Sequence, residues 1–176
     1  MPNPLAQPKK SIALVGLMGA GKTSVGRRLA KRLALPFADA DAEIEAAAGL
    51  SIAEIFERFG EAHFRDGERR VMKRLIEGPP RVIATGGGAF MDEETRALIL
   101  ARCTAIWLDG DLDALAARVS RRGHRPLLAG KQPRALLAAL AETRGPIYAE
   151  AHFTVRSDAE THERTVDRIL ALLRPA

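Results

Sequence analysis

Short apolar runs alternate along this chain with longer segments in which apolar residues recur every three or four positions. The short runs have the length of buried strands, and the longer segments have the period of amphipathic helices. Five short runs are predicted to be strands, at 11–15, 36–38, 81–85, 104–108 and 153–155. This alternation predicts an α/β fold: a five-stranded, mostly parallel sheet with helices on both faces.

The helices predicted between these strands carry recognisable end signals. Ser51 and Glu54 have the spacing of a capping box at the start of one helix. Gly67 should cost its helix about 1 kcal/mol relative to alanine, and Gly145-Pro146 can break another helix. The predicted helices span 23–35, 41–48, 52–59, 61–77, 92–101, 111–122, 133–150 and 161–173.

The length and composition fit one globular domain, predicted at 11–174 behind a flexible lead at 1–10. The chain has 176 residues, enough for a single domain with its own core. No apolar run approaches the roughly 20 residues of a membrane span, so no membrane partner is expected. The only cysteine, Cys103, opens a predicted buried strand and is expected to be plain core. A single cysteine excludes an internal disulfide and fits a reducing cytoplasm. The chain is expected to be a monomer.

The net charge of +5 raises the question of nucleic-acid binding. The Lys and Arg residues are scattered, however, and neither a run of five like charges nor an aromatic-rich strand for stacking bases is present. An enzyme that acts on phosphates or carboxylates needs cations equally. Nucleic acid is therefore not expected as a partner.

The segment GLMGAGKT at 16–23 fits the pattern G-x-x-x-x-G-K-[ST] between a predicted strand and a predicted helix. Its glycines allow backbone N–H groups to converge on phosphate oxygens at a helix N-terminus. Lys22 would reach the β- and γ-phosphates, and the Thr23 hydroxyl would bind Mg²⁺. The chain lacks the N-K-x-D guanine signature of GTPases and is short for an ATPase machine. The predicted nucleotide-binding residues here are Gly19, Ala20, Gly21, Lys22, Thr23 and Ser24.

Two groups of carboxylates follow predicted strands. Asp109 ends one strand, but Asp109-Gly110-Asp111 is a good turn-and-cap sequence and is interpreted as mostly structural. Asp39 and Asp41 follow the second strand, where alternate residues point to opposite sides. One would face the metal and the other a substrate hydroxyl. The alternative is that Asp41 only caps the following helix.

A triple glycine and three arginines are expected at the same edge of the sheet. TGGG at 85–88 follows a buried strand, and ligands of open α/β sheets bind at this edge. Arg65 has Glu68 one helical turn away, Arg125 lies in the predicted loop 123–132, and Arg144 precedes Gly145. Arginine recognises carboxylates and phosphates with two parallel hydrogen bonds. The alternatives are a flexible turn and solvated surface arginines.

Taken in order, these segments resemble the shikimate kinase family from about residue 11 to residue 173. The resemblance implies a single-domain P-loop kinase fold with a lid loop, and transfer of phosphate from ATP to the 3-hydroxyl of shikimate, on the pathway to chorismate and aromatic amino acids. The matching segments are GLMGAGKTSVGRRLA at 16–30, DAD at 39–41, SIAEIFERFGEAHFR at 51–65 with Glu68, TGGGA at 85–89, RPLL at 125–128 and R-x-P-x-Y at 144–148.

The family pattern also implies roles for individual residues. Arg65 and Arg144 would hold the shikimate carboxylate, and Asp41 would bind its hydroxyls and orient or deprotonate the attacking one. Asp39 would hold Mg²⁺ through water, with the Thr23 hydroxyl as the other ligand. The implied shikimate-binding region is 39–68 and the implied lid is 121–132. The remaining residues with implied roles are Lys22 and Arg125 in catalysis, Arg118 and Arg125 in ATP binding, and Gly86, Gly87 and Gly88 in shikimate binding.

This chain departs from the family pattern at two places. Two other functions are also compatible with its sequence. Arg156-Ser-Asp-Ala159 stands where the family often has a proline, which leaves the adenine contacts there undefined. Gly67 lies within the Arg65–Glu68 turn and could loosen the support of Arg65. The competing functions are a kinase for another acidic polyol such as gluconate, and a non-catalytic module that binds nucleotide or nucleic acid.

Overall fold

The structure, a computed structural model, describes residues 7–121, 132–157 and 161–175. The strands are β1 (Ser11–Val15), β2 (Phe37–Asp39), β3 (Val82–Ala84), β4 (Cys103–Asp109) and β5 (Phe153–Arg156). They form a five-stranded parallel sheet in the order β2-β3-β1-β4-β5. Every residue of β1 is buried, so both faces of the sheet are covered, as parallel sheets require. The predicted α/β class and five-stranded sheet are confirmed.

The helices pack around this sheet. Within the described residues the α-helices are α1 (Lys22–Leu33), α2 (Ala40–Ala48), α3 (Ile52–Glu77), α4 (Glu93–Arg102), α5 (Leu112–Arg121), α6 (Pro133–Tyr148) and α7 (His162–Leu173). Helices α1 and α7 contact each other and the strands, α2 packs on α3, and α5 packs on α6. A short 3-10 helix, Ala89–Met91, contacts α3, α4 and α6.

Helix α3 contains a kink that separates the two helices predicted at 52–59 and 61–77. Gly60 has non-helical backbone angles, with φ 84° and ψ 174°, in the left-handed half of the map that favours glycine. The predicted capping box is present, because Ser51 and Glu54 each accept a hydrogen bond from the other's backbone N–H. The first half of α3 therefore begins at a capping box, and the helix is kinked at Gly60, where the second half starts.

Helix α6 continues through Gly145-Pro146, so the predicted break at that dipeptide is wrong. Pro146 lies in the last turn of the helix, which ends at Tyr148. Arg144 and Tyr148, on either side of the proline, both donate hydrogen bonds to the Gly87 carbonyl. These two contacts hold the last turn in place although the proline removes one backbone hydrogen bond.

Cys103 is core, as predicted. It is 1% exposed, and burial raises the pKa of its thiol to about 11. The thiol stays protonated at neutral pH and cannot act as a nucleophile. Among the helices that the structure describes, none combines the length and apolar character needed to cross a membrane.

Candidate active site

The phosphate loop connects β1 to α1 and adopts a conformation that only glycine accepts easily. Gly16, Gly19 and Gly21 have φ angles of 147°, 82° and 90°. A Cβ at Gly16 would lie 2.7 Å from the Leu108 carbonyl oxygen, far closer than a carbon atom can approach. Helix α1 begins at Lys22 with no acidic residue in its first turn, so its positive end is not neutralised locally.

The Lys22 side chain lies across this loop. Its Nζ donates hydrogen bonds to the carbonyl oxygens of Gly16, at 2.5 Å, and Leu17, at 3.0 Å. The ammonium group is therefore held beside the backbone that the sequence pattern assigns to phosphate. A cation and a helix N-terminus together make a strong anion site.

Thr23 and Asp39 are in direct contact. The Thr23 hydroxyl donates a hydrogen bond of 2.6 Å to Oδ2 of Asp39, while Oδ1 of Asp39 accepts from the backbone N–H of Ala42. Asp39 is thus the N-cap of α2, so the alternative in which Asp41 caps the helix is wrong. Asp41 lies in the first turn of α2, which begins at Ala40. The start of this helix, and not the alternation of side chains along a strand, gives the two carboxylates different positions.

The Thr23–Asp39 pair fits a magnesium ion. Mg²⁺ takes oxygen ligands, keeps several waters and is commonly bound by one or two side chains together with substrate phosphates. A hydroxyl and a carboxylate beside the phosphate loop supply that donor set. No group of three His, Cys, Asp or Glu side chains that could bind a metal by itself occurs within the described ranges.

A cavity of about 320 Å³ lies beside the phosphate loop and gathers the residues predicted to bind the acceptor. The predicted residues in its lining are Asp41, Arg65, Gly87, Gly88 and Arg144. Gly86 acts differently, because a Cβ there would lie 2.8 Å from Oδ1 of Asp41 and 3.1 Å from Oε2 of Glu68. Its missing side chain therefore allows two carboxylates to lie against the loop.

Arg65 is held by Glu68 through a 2.8 Å contact between Nη1 and Oε1. Glu68 is 3% exposed. Burial raises the pKa of its carboxyl, the Arg65 guanidinium opposes that increase, and the nearby Asp41 carboxylate adds to it. The expectation that Gly67 loosens this pair is wrong. Gly67 is helical, and a Cβ built on it would meet no atom within 4 Å.

Gly88 faces the same guanidinium. A Cβ at this position would lie 2.7 Å from Nη1 of Arg65 and 2.8 Å from Nη2. Gly86 and Gly88 therefore leave space that Asp41, Glu68 and the Arg65 guanidinium occupy, whereas a Cβ at Gly87 would lie at an ordinary 3.6 Å from Nη1 of Arg144. The Arg65 guanidinium therefore lies between the Glu68 carboxylate and Gly88, which leaves space for it.

Tyr148 is a site residue that the sequence analysis did not single out. Its hydroxyl donates to the Gly87 carbonyl, which also accepts from Nη1 of Arg144 at 2.9 Å. The ring is 1% exposed and stacks on Phe90 and Trp107, with centroids 6.3 and 5.8 Å away. Burial raises the pKa of the hydroxyl. The signal in the sequence was the spacing of the R-x-P-x-Y segment, which places both donors on one side of a helix.

The acceptor cavity meets the phosphate loop at Asp41 and Gly87. Both residues line the larger cavity and also a small one of about 30 Å³. The small cavity additionally contacts Lys22, Thr23 and Asp39. A group bound beside Asp41 is therefore next to whatever the phosphate loop holds.

The far side of the phosphate loop contacts α5 and the end of β5. Nη1 of Arg118 donates to the Gly19 carbonyl at 3.0 Å, and the buried Ser157 hydroxyl donates to the Ala20 carbonyl at 2.8 Å. Ser157 belongs to the segment that departs from the family pattern, and its contact fixes the loop backbone. Arg125, most of the predicted lid at 121–132 and Ala159 lie outside the described residues.

Asp109 and Asp111 serve the structure, as interpreted from the sequence. The Asp109 carboxylate pairs with Arg156 at 3.3 Å, and its carbonyl accepts from the backbone N–H of Ser157 at 2.7 Å. The Asp111 side chain accepts from the backbone N–H of Ala114, in the first turn of α5. Neither carboxylate lines the acceptor cavity or the small cavity beside it.

A phosphate loop with its lysine and a hydroxyl–carboxylate pair, set beside a separate arginine-lined cavity on a parallel sheet, defines a P-loop kinase for a small anionic acceptor. The family model described as shikimate kinase matches residues 18–174. A shikimate kinase of Caulobacter vibrioides is 58% identical over 167 residues, covering 95% of this chain and 84% of the relative. This chain belongs to the shikimate kinase family.

Two further comparisons agree with that assignment. A shikimate kinase of Zymomonas mobilis is 54% identical over 164 residues, which cover 93% of each chain. The solved structure of shikimate kinase from Acinetobacter baumannii in complex with shikimate superimposes with a TM-score of 0.91 at 38% identity. That match covers 95% of this chain and 94% of the other. The predicted family and fold are confirmed.

Proposed function

We propose that this chain transfers the γ-phosphoryl group of ATP to the 3-hydroxyl of shikimate, giving ADP and shikimate 3-phosphate. The position of Asp41 gives this proposal its main support. Asp41 lines both the arginine-bearing cavity and the small cavity at the phosphate loop. A hydroxyl held beside this carboxylate faces the bound nucleotide. Membership of the shikimate kinase family supports the same reaction.

The acceptor is oriented by the opposite charges of the arginines and of Asp41 in the cavity lining. Shikimate carries a ring carboxylate and several hydroxyls, and the guanidinium groups of Arg65 and Arg144 suit the carboxylate. Asp41 accepts hydrogen bonds from the hydroxyls. The backbone at Gly86, Gly87 and Gly88 offers further polar groups without side chains in the way. This polarity places the hydroxyl end of the ring towards the phosphate loop.

Phosphoryl transfer then depends mainly on positioning and charge. The substrate hydroxyl oxygen forms a bond to the γ-phosphorus as the bond to the oxygen bridging the β- and γ-phosphates breaks. The hydroxyl proton passes to the Asp41 carboxylate, and the leaving group is ADP. Lys22 balances the charge that develops on the phosphate oxygens.

The nucleotide is held by the loop from Gly19 to Ser24, with Arg118 beside it. Thr23 and Asp39 would hold Mg²⁺, Asp39 through water, and the ion would neutralise phosphate charge when bound. The proposed role of Arg125 at the phosphates, and of a lid at 121–132, rests on the family resemblance alone. A family member with this reaction would act on the pathway to chorismate and aromatic amino acids.

The proposed setting is a cytoplasmic monomer that binds ATP and shikimate, with no nucleic-acid or membrane partner. The buried thiol of Cys103 fits a reducing compartment. Light scattering after size-exclusion chromatography should give the mass of one chain at every concentration tested. A dimer mass would contradict the monomer and leave the reaction unaffected.

A coupled ADP-release assay across shikimate, gluconate and AMP tests the reaction. We expect ADP release with shikimate only, and its loss in Lys22→Ala. Release with gluconate or AMP in place of shikimate would overturn the assignment. Absence of release with all three would instead favour a non-catalytic nucleotide-binding module.

The two arginines provide a second test. Arg65→Ala and Arg144→Ala should each raise the KM for shikimate at least about tenfold, because a charge-assisted contact to the carboxylate is lost. The KM for ATP should change little. Equal damage to both KM values would contradict the proposed division between acceptor and nucleotide sites.

A further inference from the structure

A second groove lies between α2 and α3, on the other side of Phe64 from the acceptor cavity. Its volume is about 540 Å³, larger than the acceptor cavity at about 320 Å³. We propose that this groove binds a small aromatic carboxylate and that its occupation weakens acceptor binding. Phe64 is the one lining residue that the two sites share.

The groove has the apolar character of a small-molecule site. Its volume falls within the roughly 300–1,000 Å³ typical of such sites. Ile44, Ile55 and Val71 form buried parts of its wall. Phe59 is 54% exposed, and its ring lies 4.7 Å from the His63 ring. Phe59 is contiguous with the apolar lining of the groove, and contiguous exposed apolar patches mark ligand-binding grooves and interaction sites.

The charge at this groove suits an anion. Its lining contains Arg70, Arg74 and His63 and no aspartate or glutamate. Arg74 pairs with Glu43 at 2.9 Å, whereas Arg70 forms no ion pair with any residue that the structure describes. An arginine beside an apolar wall can bind a carboxylate while the wall contacts the ring of the same ligand. This complementarity points to an aromatic carboxylate as the ligand.

Phe64 provides the connection to the acceptor site. The side chain is 5% exposed, and its ring packs 4.7 Å from that of Phe56, a residue of the acceptor cavity. The Arg65 guanidinium lies 5.1 Å from the Phe64 centroid. A ligand ring in the groove packs on Phe64, a side chain that is also packed on Phe56 and Arg65. Because these contacts are close, a shift of Phe64 towards the ligand also alters the surface that supports Arg65.

Gly67 offers a way to fill the groove. It lines the groove and is helical, and a Cβ built on it meets nothing within 4 Å. Leucine also favours a helix more than glycine does, so Gly67→Leu should fold and occupy the space. Arg70→Gln keeps the length of a polar side chain but removes the charge. Neither residue belongs to the proposed catalytic or binding machinery.

The test uses 2-naphthoate as the probe and 2-naphthalenemethanol as its uncharged analogue. Calorimetry should show 2-naphthoate binding to the wild-type protein, with affinity at least about tenfold lower for Gly67→Leu. Arg70→Gln should weaken binding of 2-naphthoate but leave 2-naphthalenemethanol unchanged. In the wild type, saturating 2-naphthoate should raise the KM for shikimate about fivefold or more, with the KM for ATP constant.

Three outcomes would overturn the inference. Undiminished 2-naphthoate binding in Gly67→Leu would place the probe elsewhere, for example in the acceptor cavity. Binding without any change in the shikimate KM would remove the coupling through Phe64. A concentration-dependent dimer of the wild type that Gly67→Leu abolishes would make a second copy of the chain the occupant. Calorimetry needs no turnover, so these outcomes are distinct from a failure of the proposed reaction.

Discussion

The Gly87 carbonyl oxygen accepts hydrogen bonds from both Arg144 and Tyr148, which lie one turn apart on α6. This relationship fixes the glycine-rich loop after β3 to the helix that carries one of the two acceptor arginines. The Tyr148 ring cannot move freely, because it stacks on Phe90 and Trp107 in the core. Tyr148 therefore acts as a positioning residue for Gly87 and Arg144.

Tyr148→Phe should raise the KM for shikimate about tenfold while the KM for ATP stays constant. The variant removes the hydroxyl and keeps the ring and its stacking, so the Gly87 carbonyl loses one donor. The lost hydrogen bond should also cost roughly 1 kcal/mol of stability. Steady-state kinetics with each substrate varied in turn, together with urea unfolding, measures both effects.

Tyr148→Leu is the matched comparison for this prediction. It removes the stacking as well, so it should lower stability further than Tyr148→Phe does. If the KM for shikimate in Tyr148→Phe equals that of the wild type, the hydroxyl has no positioning role. The Gly87 loop would then be held by Arg144 alone.

Glu68 should give the protein a pH-dependent stability that Glu68→Gln lacks. Burial raises the pKa of Glu68 above its ordinary value of 4.5, so the unfolded chain releases this proton at lower pH than the folded chain does. Over that interval the folded state binds more protons, and the free energy of unfolding falls as pH rises. Below this pH interval Glu68 is protonated in both states, so it does not lower the free energy of unfolding there.

The difference between the unfolding free energies of the wild type and Glu68→Gln is the quantity to follow. Measured by urea unfolding from about pH 4 to neutrality, this difference should decline as pH rises and then level off. The other titrating groups cancel in the comparison. A difference that grows with pH would mean that the Arg65 contact outweighs burial and lowers the pKa of Glu68.

Some parts of this site follow from local sequence and others do not. The phosphate loop at 16–23 could be predicted because its glycines, lysine and threonine are contiguous. Asp39 was predicted near the metal, but its role as the cap of α2 depends on where β2 ends. The partnership of Tyr148 with Gly87 spans 61 positions. Such tertiary contacts leave no periodic signal in either segment.

The groove beside Phe64 illustrates the same limit. Its lining comes mainly from α2 and α3, where the sequence predicted helices at 41–48, 52–59 and 61–77. Helical periodicity does not say how far apart two helices pack. Gly67 appeared in the sequence as a weakness in a helix. In the structure its missing side chain leaves space in the groove, and Arg65 keeps its partner Glu68 at 2.8 Å.

Thr23→Val should raise the Mg²⁺ concentration needed for half-maximal activity about tenfold. The substitution keeps the shape of the side chain but removes the hydroxyl that contacts Asp39, and with it one proposed oxygen ligand. The KM for shikimate should not change at saturating Mg²⁺ and ATP. Activity measured against Mg²⁺ at fixed ATP gives the shift.

Thr23→Ser is the control for this prediction, since it restores the hydroxyl. Its Mg²⁺ dependence should lie close to that of the wild type. If Thr23→Ser and Thr23→Val need the same Mg²⁺ concentration, the presence of the hydroxyl does not determine the Mg²⁺ dependence. The proposed metal role of Thr23 would then be wrong.

Gly88→Ala and Gly67→Ala form a matched pair of glycine substitutions, of which only the first contacts Arg65. At Gly88 the added methyl would lie 2.7 Å from Nη1 of Arg65, whereas at Gly67 it meets nothing within 4 Å. Gly88 has φ −106°, which alanine accepts, so Gly88→Ala acts by displacing the guanidinium. Its KM for shikimate should rise about tenfold or more, because the charge-assisted contact to the carboxylate is disturbed.

Gly67→Ala should leave both KM values unchanged and stabilise the protein by about 1 kcal/mol, since alanine favours a helix interior more than glycine does. Steady-state kinetics and urea unfolding of both variants provide the comparison. An unchanged shikimate KM in Gly88→Ala would show that Arg65 can shift without loss of function. In that case the space left by Gly88 is not what places the guanidinium, and Glu68 alone would determine where Arg65 lies.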